Sequence, residues 1–158
     1  MKLRRPLTIT SRTSSITNSF VRALIPCIEP SKEEYALALA VLGMTPEELS
    51  CVYCGNARTD WDHLRPLVRD GRPTGYINEI RNLVPSCGHC NQSKGRSHWR
   101  DWMLGDARGS PKTRRIQDLA ERMERLFCQH ILTLKEDKRA EYPGSVLSTI
   151  FSRALTKT

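Results

Sequence analysis

The sequence predicts a mainly α-helical chain with a small two-stranded β-hairpin, stapled by a four-cysteine metal site and wrapped by flanking helices. Two Cys-x-x-Cys pairs, Cys51/Cys54 and Cys87/Cys90, enclose a central segment, and two short runs inside that segment have the length and composition of strands. On both sides of it, apolar residues recur at the three- and four-residue spacing of amphipathic helices.

Length and charge favour a single basic domain. The 158 residues suffice for one core, and 25 Lys plus Arg against 17 Asp plus Glu leave a net charge of +8. This excess favours a polyanionic partner, most commonly nucleic acid. We expect one domain at 1–158, with a basic arm and helices at 1–50, the metal-stapled core at 51–105 and C-terminal helices at 106–158.

Targeting signals are weak. The chain has no run of about 18 apolar residues that would span a membrane, and no stretch resembles a signal-peptide core. We therefore expect a cytoplasmic protein that contacts no membrane. Residues 1–28 are basic and contain no acidic residue, so they fit either a transit peptide or an arm that binds phosphate.

A capping box predicts the first well-defined helix. Ser31 and Glu34 have the required spacing, and Gly43 provides a residue that ends helices readily. Its apolar face consists of Tyr35, Ala38, Leu39 and Leu42. We expect this helix to pack in the core.

Weaker start and stop signals lie on either side of this helix. The segment Ile16 to Leu24 has the spacing of a short amphipathic helix that Pro26 ends. Thr45 to Glu48 repeats the capping-box pattern, with room for about one turn before the first cysteine pair.

The central segment predicts a strand–strand–helix order. Asp60 to His63 and Leu83 to Pro85 have the composition of short strands, and the Gly- and Pro-containing run 70–75 between them predicts an irregular connection. Apolar residues at helical spacing then predict a helix over Asn91 to Leu104, directly after the second cysteine pair and ending at Gly105.

The longest helix is predicted to begin at Ser110-Pro111 and to run to about Glu141. Charged pairs at Asp118/Arg122 and Glu121/Arg125 support it. Its apolar stripe contains Ile116, Leu119, Met123, Leu126, Phe127, Ile131 and Leu134. The stripe fits either core packing or a dimer surface. A last amphipathic helix is expected from Val146 to Leu155.

The four cysteines predict a structural zinc site. Two residues between the members of each pair allow a tight turn to aim both thiolates at one ion, and a tetrahedral set of four thiolates is typical of Zn²⁺. A thioredoxin-like redox motif and a pair of disulfides are the alternatives, which the duplicated pair disfavours. Cys27 and Cys128 have apolar neighbours and are interpreted as inert core thiols.

A second chemical group lies between the cysteine pairs. His63 can accept a proton near neutral pH, and the adjacent Asp62 carboxylate suits a hard cation such as Mg²⁺. Asp60 shares a strand face with Asp62 and competes with it as a ligand. A lone histidine is more often a packing residue, so the interpretation of His63 as a base depends on the adjacent carboxylate and on the cysteine pairs around it.

These residues resemble the HNH nucleases of the ββα-metal superfamily in their zinc-bound form. The resemblance runs from CVYCG through TDWDHLRP to RNLVPSCGHCNQSKG, residues 51–95. It implies a ββα-metal finger in which His63 is the general base, Asp62 a ligand of a catalytic Mg²⁺ or Mn²⁺, Asn82 a residue that positions the base, and Asn91 the second cation ligand. Asn91 stands where the name-giving pattern has a second histidine, and its amide oxygen also suits a hard cation.

The implied reaction is hydrolysis of a phosphodiester bond with one catalytic cation. Basic residues on the hairpin and after the second cysteine pair are candidate phosphate contacts, namely Arg65, Arg69, Arg72, Lys94, Arg96 and Arg100. Trp61, Trp99 and Trp102 are interpreted as packing residues rather than base-stacking platforms.

The small size of the chain and its resemblance suggest a type II restriction endonuclease acting on double-stranded DNA. Such an enzyme would act as a homodimer on a palindromic site and would have a cognate DNA methyltransferase in the host. The alternatives are a homing, phage-packaging or low-specificity nuclease, and a zinc-stabilised DNA-binding module without catalysis. The presence of a candidate base beside cation ligands argues against the last of these.

Overall fold

The computed structural model describes residues 23–132. Its helices and strands, in chain order, are α1 Lys32–Val41, β1 Asp60–His63, β2 Val68–Arg69, β3 Arg72–Pro73, a 3-10 helix at Ile80–Asn82, β4 Leu83–Ser86, α2 Gly88–Lys94, α3 Trp99–Leu104 and α4 Leu119–Leu132. The predicted order of strand, strand and helix in the central segment is confirmed.

The central sheet is a two-stranded antiparallel pair of β1 and β4. Its register places Asp62 opposite Val84 and His63 opposite Leu83. Val52, between the first two cysteines, donates its backbone N–H to the carbonyl oxygen of Pro85 at 2.9 Å. Backbone hydrogen bonding therefore ties the first cysteine pair to the strand that leads into the second.

A smaller ribbon, β2 paired with β3, occupies the connection between the two main strands. Asp70 and Gly71 form its turn with φ of 51° and 73°. Two successive positive φ values define the type I′ turn, whose twist matches the flanking strands and which Asp-Gly favours. The connection is therefore more regular than the Gly- and Pro-containing sequence predicted.

Helix α1 has the predicted capping box. The Ser31 hydroxyl accepts from the Glu34 N–H at 3.1 Å, and the Glu34 carboxylate accepts from the Ser31 N–H at 3.0 Å. Gly43 follows the helix with φ of 74°. The second start signal produces no helix. Thr45 to Glu48 instead forms a bend, and one backbone hydrogen bond of 3.2 Å joins its two ends.

The hydrophobic core is built on the hairpin and the helices that cover it. Its buried members include Leu39, Leu42, Val52, Tyr53, Leu64, Val84, Trp99, Trp102, Met103 and Leu126. Trp99 and Trp102 are therefore packing residues, as predicted. Trp61 is half-buried, with its ring centroid 6.1 Å from that of Tyr35 and 5.4 Å from the Arg58 guanidinium carbon.

The prediction of one continuous helix from Asn91 to Leu104 is wrong. The chain forms α2 and α3, which are separated at Gly95, where φ is 50°. Glycine tolerates this left-handed conformation, and the conformation ends the helix. The apolar spacing that suggested one helix belongs almost entirely to α3.

The predicted start of the longest helix is also wrong, because α4 begins at Leu119 and not at Ser110. The Ser110 hydroxyl does accept from the Thr113 N–H at 3.2 Å, but only turns follow. Arg115 and Asp118 have φ of 52° and 56°, outside the helical region. Arg122 donates to the carbonyl oxygen of Gln117 rather than pairing as predicted with Asp118.

The apolar stripe of α4 packs against the core of its own chain. Leu126 and Ile131 have no exposed surface, and Leu119, Met123 and Phe127 pack against the core cluster. The core interpretation of this stripe is confirmed, and its use as a dimer surface does not fit this packing. The predicted Glu121/Arg125 ion pair forms on the opposite face.

Cys128 is buried as predicted, whereas Cys27 is exposed, so its interpretation as a core thiol was wrong. The predictions for residues 16–22, for the continuation of the long helix to Glu141 and for a last helix at Val146 to Leu155 lie outside the described residues. Between residues 23 and 132, no helix combines the length and apolar character needed to cross a membrane.

Replacing Gly43 by alanine is expected to destabilise the zinc-loaded protein by more than replacing Gly75. Both glycines have positive φ, 74° and 88°, and a left-handed alanine costs about 1–2 kcal/mol. A Cβ at Gly43 would also lie 3.1 Å from the Arg125 guanidinium, whereas a Cβ at Gly75 would meet no atom within 4 Å. Urea denaturation of both variants measures the difference, and equal losses would contradict the role of the Arg125 contact.

Candidate functional site

The four paired cysteines form one compact cluster. The Sγ atoms of Cys51, Cys54, Cys87 and Cys90 all lie within 4.8 Å of one another, and the Cys54–Cys87 separation is 3.7 Å. Tetrahedral zinc with Zn–S bonds of about 2.3 Å places its sulfurs roughly 3.8 Å apart. All six cysteines are free thiols, so the disulfide alternative is not realised. The cluster therefore fits a structural metal such as zinc.

Each cysteine pair is shaped by its local backbone. In the first pair, Gly55 with φ of 77° donates its N–H to the Cys51 carbonyl oxygen at 2.7 Å and closes a tight turn. In the second pair, Cys87 is the residue before α2 and Cys90 lies in the first turn of that helix. The two short turns direct all four thiols to one point.

The chemistry around the thiols supports metal binding. The hydrogen bond between Cys51 and Cys90 lowers the pKa of Cys51 to about 5 and raises the pKa of Cys90, so the two thiols share one proton when no ion is bound. The Arg114 guanidinium donates to the Cys90 sulfur at 3.2 Å. Positive charge and N–H donors both stabilise thiolates, which are the form that binds zinc.

A cavity of about 540 Å³ includes in its lining Asn91, the residue directly after Cys90. Asp62, His63 and Asn91 all line it, as the sequence predicted for residues of one site. Its other walls come from the β2–β3 ribbon and from the end of α2, with Asp70 and Arg96 facing each other across 4.0 Å. The cavity thus joins a carboxylate, an imidazole and an amide.

The Asp62 carboxylate is buried and held by two side chains. The Tyr53 hydroxyl donates to Oδ2 at 2.6 Å, and the Lys94 ammonium lies 3.2 Å from Oδ1 and 3.0 Å from Oδ2. Burial raises the pKa of the Asp62 carboxyl, and Lys94 and Tyr53 oppose this effect. Lys94 and Tyr53 therefore stabilise the charged form of a carboxylate that burial alone would destabilise.

Lys94 was predicted to contact phosphate, but this does not fit its position. Its side chain has no exposed surface, and its ammonium also donates to the His63 carbonyl oxygen at 2.8 Å. The lysine therefore joins α2 to the end of β1, rather than facing solvent.

His63 ends β1, and its imidazole contacts a residue outside the predicted set. Its Nε2 lies 3.1 Å from the Oδ1 of Asn78. Asn82, which the resemblance assigned to positioning the base, contacts the backbone that follows His63 and the backbone of Ile77. It accepts from the Arg65 N–H at 2.8 Å and donates to the carbonyl oxygens of Arg65 and Ile77 at 3.0 and 3.3 Å.

Asp60 is separated from this site by the length of the strand. It is exposed, lies beside Thr59 and Gly88, and does not line the cavity. Of the two carboxylates on this strand, Asp62 alone shares the cavity with His63.

The predicted phosphate contacts fall into two groups. Arg69, Arg72, Arg96 and Arg100 are exposed. Arg65 is half-buried, donates to His130 Nδ1 at 2.9 Å and lies over the Tyr76 ring at 5.1 Å. Burial and the Arg65 charge lower the pKa of His130 to about 4, so that imidazole accepts the hydrogen bond as a neutral group.

The cavity residues fit a hard divalent cation. Asp62 and Asn91 offer carboxylate and amide oxygens, the donors that Mg²⁺ and Mn²⁺ prefer. A carboxylate has about four lone-pair sites, so the hydrogen bonds from Tyr53 and Lys94 leave it able to bind an ion.

Comparison with known proteins assigns the central segment to a family. Residues 51–97 match the family model described as HNH endonuclease. No curated protein and no solved structure matches the chain. The match begins at the first zinc-site cysteine and ends just after α2, so it covers both cysteine pairs and the cavity residues between them. The chain carries an HNH endonuclease domain at these residues.

Sequence reasoning missed two residues of the site and misassigned a third. Tyr53 lies inside the first cysteine pair, and Asn78 lies in a connecting segment without a motif of its own. Lys94 was named but assigned to the wrong partner. Each acts through a contact with a residue at least nine positions away, which no local pattern in one sequence reveals.

Loss of the Arg114 contact is expected to speed release of zinc. In Arg114→Gln the Cys90 thiolate loses its guanidinium donor, and outer contacts of this kind typically change metal affinity by about 10–100-fold. Release is measured with a chromophoric chelator added to the zinc-loaded protein. Arg108→Gln, which changes an exposed arginine of the same segment, is the control. Equal release rates for both variants would contradict the contact's role.

Removal of Lys94 is expected to destabilise the fold strongly. Lys94→Met leaves the buried Asp62 carboxylate without its cation, a change that typically costs about 3–5 kcal/mol. The control is Lys112→Met, which removes the exposed ion pair with Asp106 at 2.8 Å and is expected to change stability far less, because solvent screens that pair. Denaturant unfolding of zinc-loaded protein compares the two, and similar losses would refute the buried pair's importance.

Proposed function

We propose that this protein is a metal-dependent DNA endonuclease that hydrolyses phosphodiester bonds with His63 as the general base. The observation that carries the proposal is the meeting of His63, Asp62 and Asn91 in one cavity, within a segment that also holds the four-cysteine cluster and matches the HNH endonuclease model. A protein that only binds DNA has no need of a proton acceptor beside two oxygen ligands for a cation.

The proposed reaction is an in-line displacement by water. His63 takes a proton from the water as its oxygen attacks phosphorus, the bond from phosphorus to the 3′ oxygen breaks, and that oxygen gains a proton from solvent. The products carry a 5′-phosphate and a 3′-hydroxyl. Asn82 supports the step indirectly, because two of its hydrogen bonds hold the Arg65 backbone just after His63 and a third ties it to the Ile77 carbonyl oxygen.

Asp62 and Asn91 would hold the catalytic Mg²⁺ or Mn²⁺. When bound, such an ion neutralises the charge that develops on the phosphate and on the leaving oxygen. Tyr53 and Lys94 hold the Asp62 carboxylate in one orientation, so the ligand needs little rearrangement before the reaction.

The exposed arginines near the cavity supply the proposed phosphate contacts. Arg69 and Arg72 face each other across the β2–β3 ribbon, whose Val68 and Asp70 form part of the cavity wall. Arg96 lines the cavity itself, and Arg100 is exposed on α3. Together with the net charge of +8, they favour a path for the DNA backbone over the ribbon.

We further propose that the enzyme is a type II restriction endonuclease of the cytoplasm. Cutting both strands of a palindrome calls for two copies, hence a homodimer, and the host would need a cognate methyltransferase. Since the described stripe of α4 is occupied by core packing, the dimer would use another surface. A homing, phage-packaging or low-specificity nuclease with the same site is the alternative.

The test of the proposed function is cleavage of DNA of known sequence by zinc-loaded protein in Mg²⁺ or Mn²⁺. His63→Ala is expected to lower the cleavage rate by at least about 100-fold, because proton transfer to a positioned base contributes that much. The control His89→Ala changes an exposed histidine that does not line the cavity, and it should keep activity. Zinc content and DNA affinity are measured for both variants.

The ends of the products discriminate among the alternatives. Discrete, sequence-defined ends support restriction or homing, and a smear of ends supports a low-specificity nuclease. DNA that is bound but stays intact with every divalent cation would refute catalysis and leave a zinc-stabilised binding module. Loss of zinc from His63→Ala would show that His63 is structural.

A further inference from the structure

We infer that Asn78 is the positioning residue for His63, and that the exposed Cys27 thiol holds the Asn78 amide in the orientation this requires. The inference rests on the proposed function, because it concerns the base of that reaction. It extends the site to two residues that lie outside the motif and outside the cavity lining.

The first step of the argument is the hydrogen bond between the two side chains. His63 Nε2 lies 3.1 Å from Asn78 Oδ1. A carboxamide oxygen only accepts, so Nε2 must carry the proton of the neutral imidazole and the lone pair lies on Nδ1. Nδ1 is then the atom that takes the proton from water. An imidazole held in the opposite tautomer would present an N–H to the water and could not act as a base.

The second step is what fixes the amide. An asparagine side chain can flip and exchange its oxygen for its NH₂ group, which would offer a donor to His63 and favour the wrong tautomer. In this structure the Asn78 Nδ2 donates to the Cys27 sulfur at 3.2 Å. A thiol is both a weak donor and a weak acceptor, and in this structure it accepts from Nδ2 while Oδ1 faces His63.

The third step is the backbone that brings these side chains together. Cys27 and Asn78 form a parallel β-bridge in which Asn78 donates its N–H to the Pro26 carbonyl oxygen at 3.1 Å and accepts from the Ile28 N–H at 2.9 Å. These bonds involve main-chain atoms alone. Substitutions of either side chain should therefore leave the bridge in place, which makes the proposal accessible to mutagenesis.

The test combines a spectroscopic readout with kinetics. Long-range ¹H–¹⁵N spectra distinguish the protonated from the lone-pair nitrogen of each ring, and the chain has only four histidines, so His63→Ala assigns its signals. Spectra are recorded on zinc-loaded protein without DNA or Mg²⁺, under conditions in which His63 is neutral. The wild-type ring is expected to be in the Nε2–H form, and Asn78→Ala is expected to give a mixture of tautomers.

Cleavage kinetics follow the same variants. Asn78→Ala should lower kcat by about tenfold with KM nearly unchanged, the size of effect typical of residues that orient a functional imidazole. Asn78→Asp presents oxygens only, so it should keep the Nε2–H tautomer and most of kcat. Cys27→Ala should show a smaller loss than Asn78→Ala, because the amide can then flip, whereas Cys27→Ser keeps an acceptor and should behave like wild type.

The outcomes separate this inference from the proposed function. A ring that stays wholly in the Nε2–H form in Asn78→Ala, or an Asn78→Ala enzyme with unchanged kcat, overturns the positioning role. A wild-type protein that shows the expected tautomers but cuts no DNA refutes the nuclease and leaves the orientation of His63 by Asn78 established. Equal behaviour of Cys27→Ala and Cys27→Ser would overturn the part assigned to Cys27.

Discussion

The approach of four thiols to within 4.8 Å is the contact on which the rest of this structure depends. The two cysteine pairs are far apart in sequence, and the whole hairpin with its added ribbon lies between them. Closing so long a loop costs conformational entropy, and a bound metal offsets that cost. The first pair leads into β1 and the second follows β4, so joining the pairs also brings together the two strands that carry the site.

A single side chain links the four-cysteine cluster to the cavity residues. Tyr53 stands between two zinc-site cysteines and donates to Asp62, while its ring centroid lies 5.1 Å from that of Trp102 in the core. Movement of the first cysteine turn would therefore move a group that holds the proposed cation ligand. A metal that stabilises the fold also fixes the geometry of the cavity.

The sequence predicted what depends on local spacing. Each Cys-x-x-Cys pair, the two main strands and the capping box of α1 follow from residue types at short intervals. The grouping of Asn91 with Asp62 and His63 was implied by the resemblance over residues 51–95, because these residues are far apart in sequence. Two kinds of feature could not be predicted. Positive φ at an ordinary residue, as at the exposed Arg115, has no signal in the residue type, and α4 begins only after it. Contacts between distant side chains, such as Lys94 with Asp62, require the fold itself.

Helix α2 is very short, yet its side chains reach the four-cysteine cluster, the Asp62 carboxylate and the cavity. Cys90 and Lys94 are one turn apart and lie on the same face, directed respectively to the zinc-site cluster and to the Asp62 carboxylate. Asn91 is offset by one residue and lines the cavity instead. If the helix continued, Arg96 would follow the helical rotation. The left-handed Gly95 ends it, and Arg96 returns to the cavity wall facing Asp70. The break that the apolar pattern failed to predict thus places a cationic side chain in the cavity wall, together with residues of β1, of α2 and of the β2–β3 ribbon.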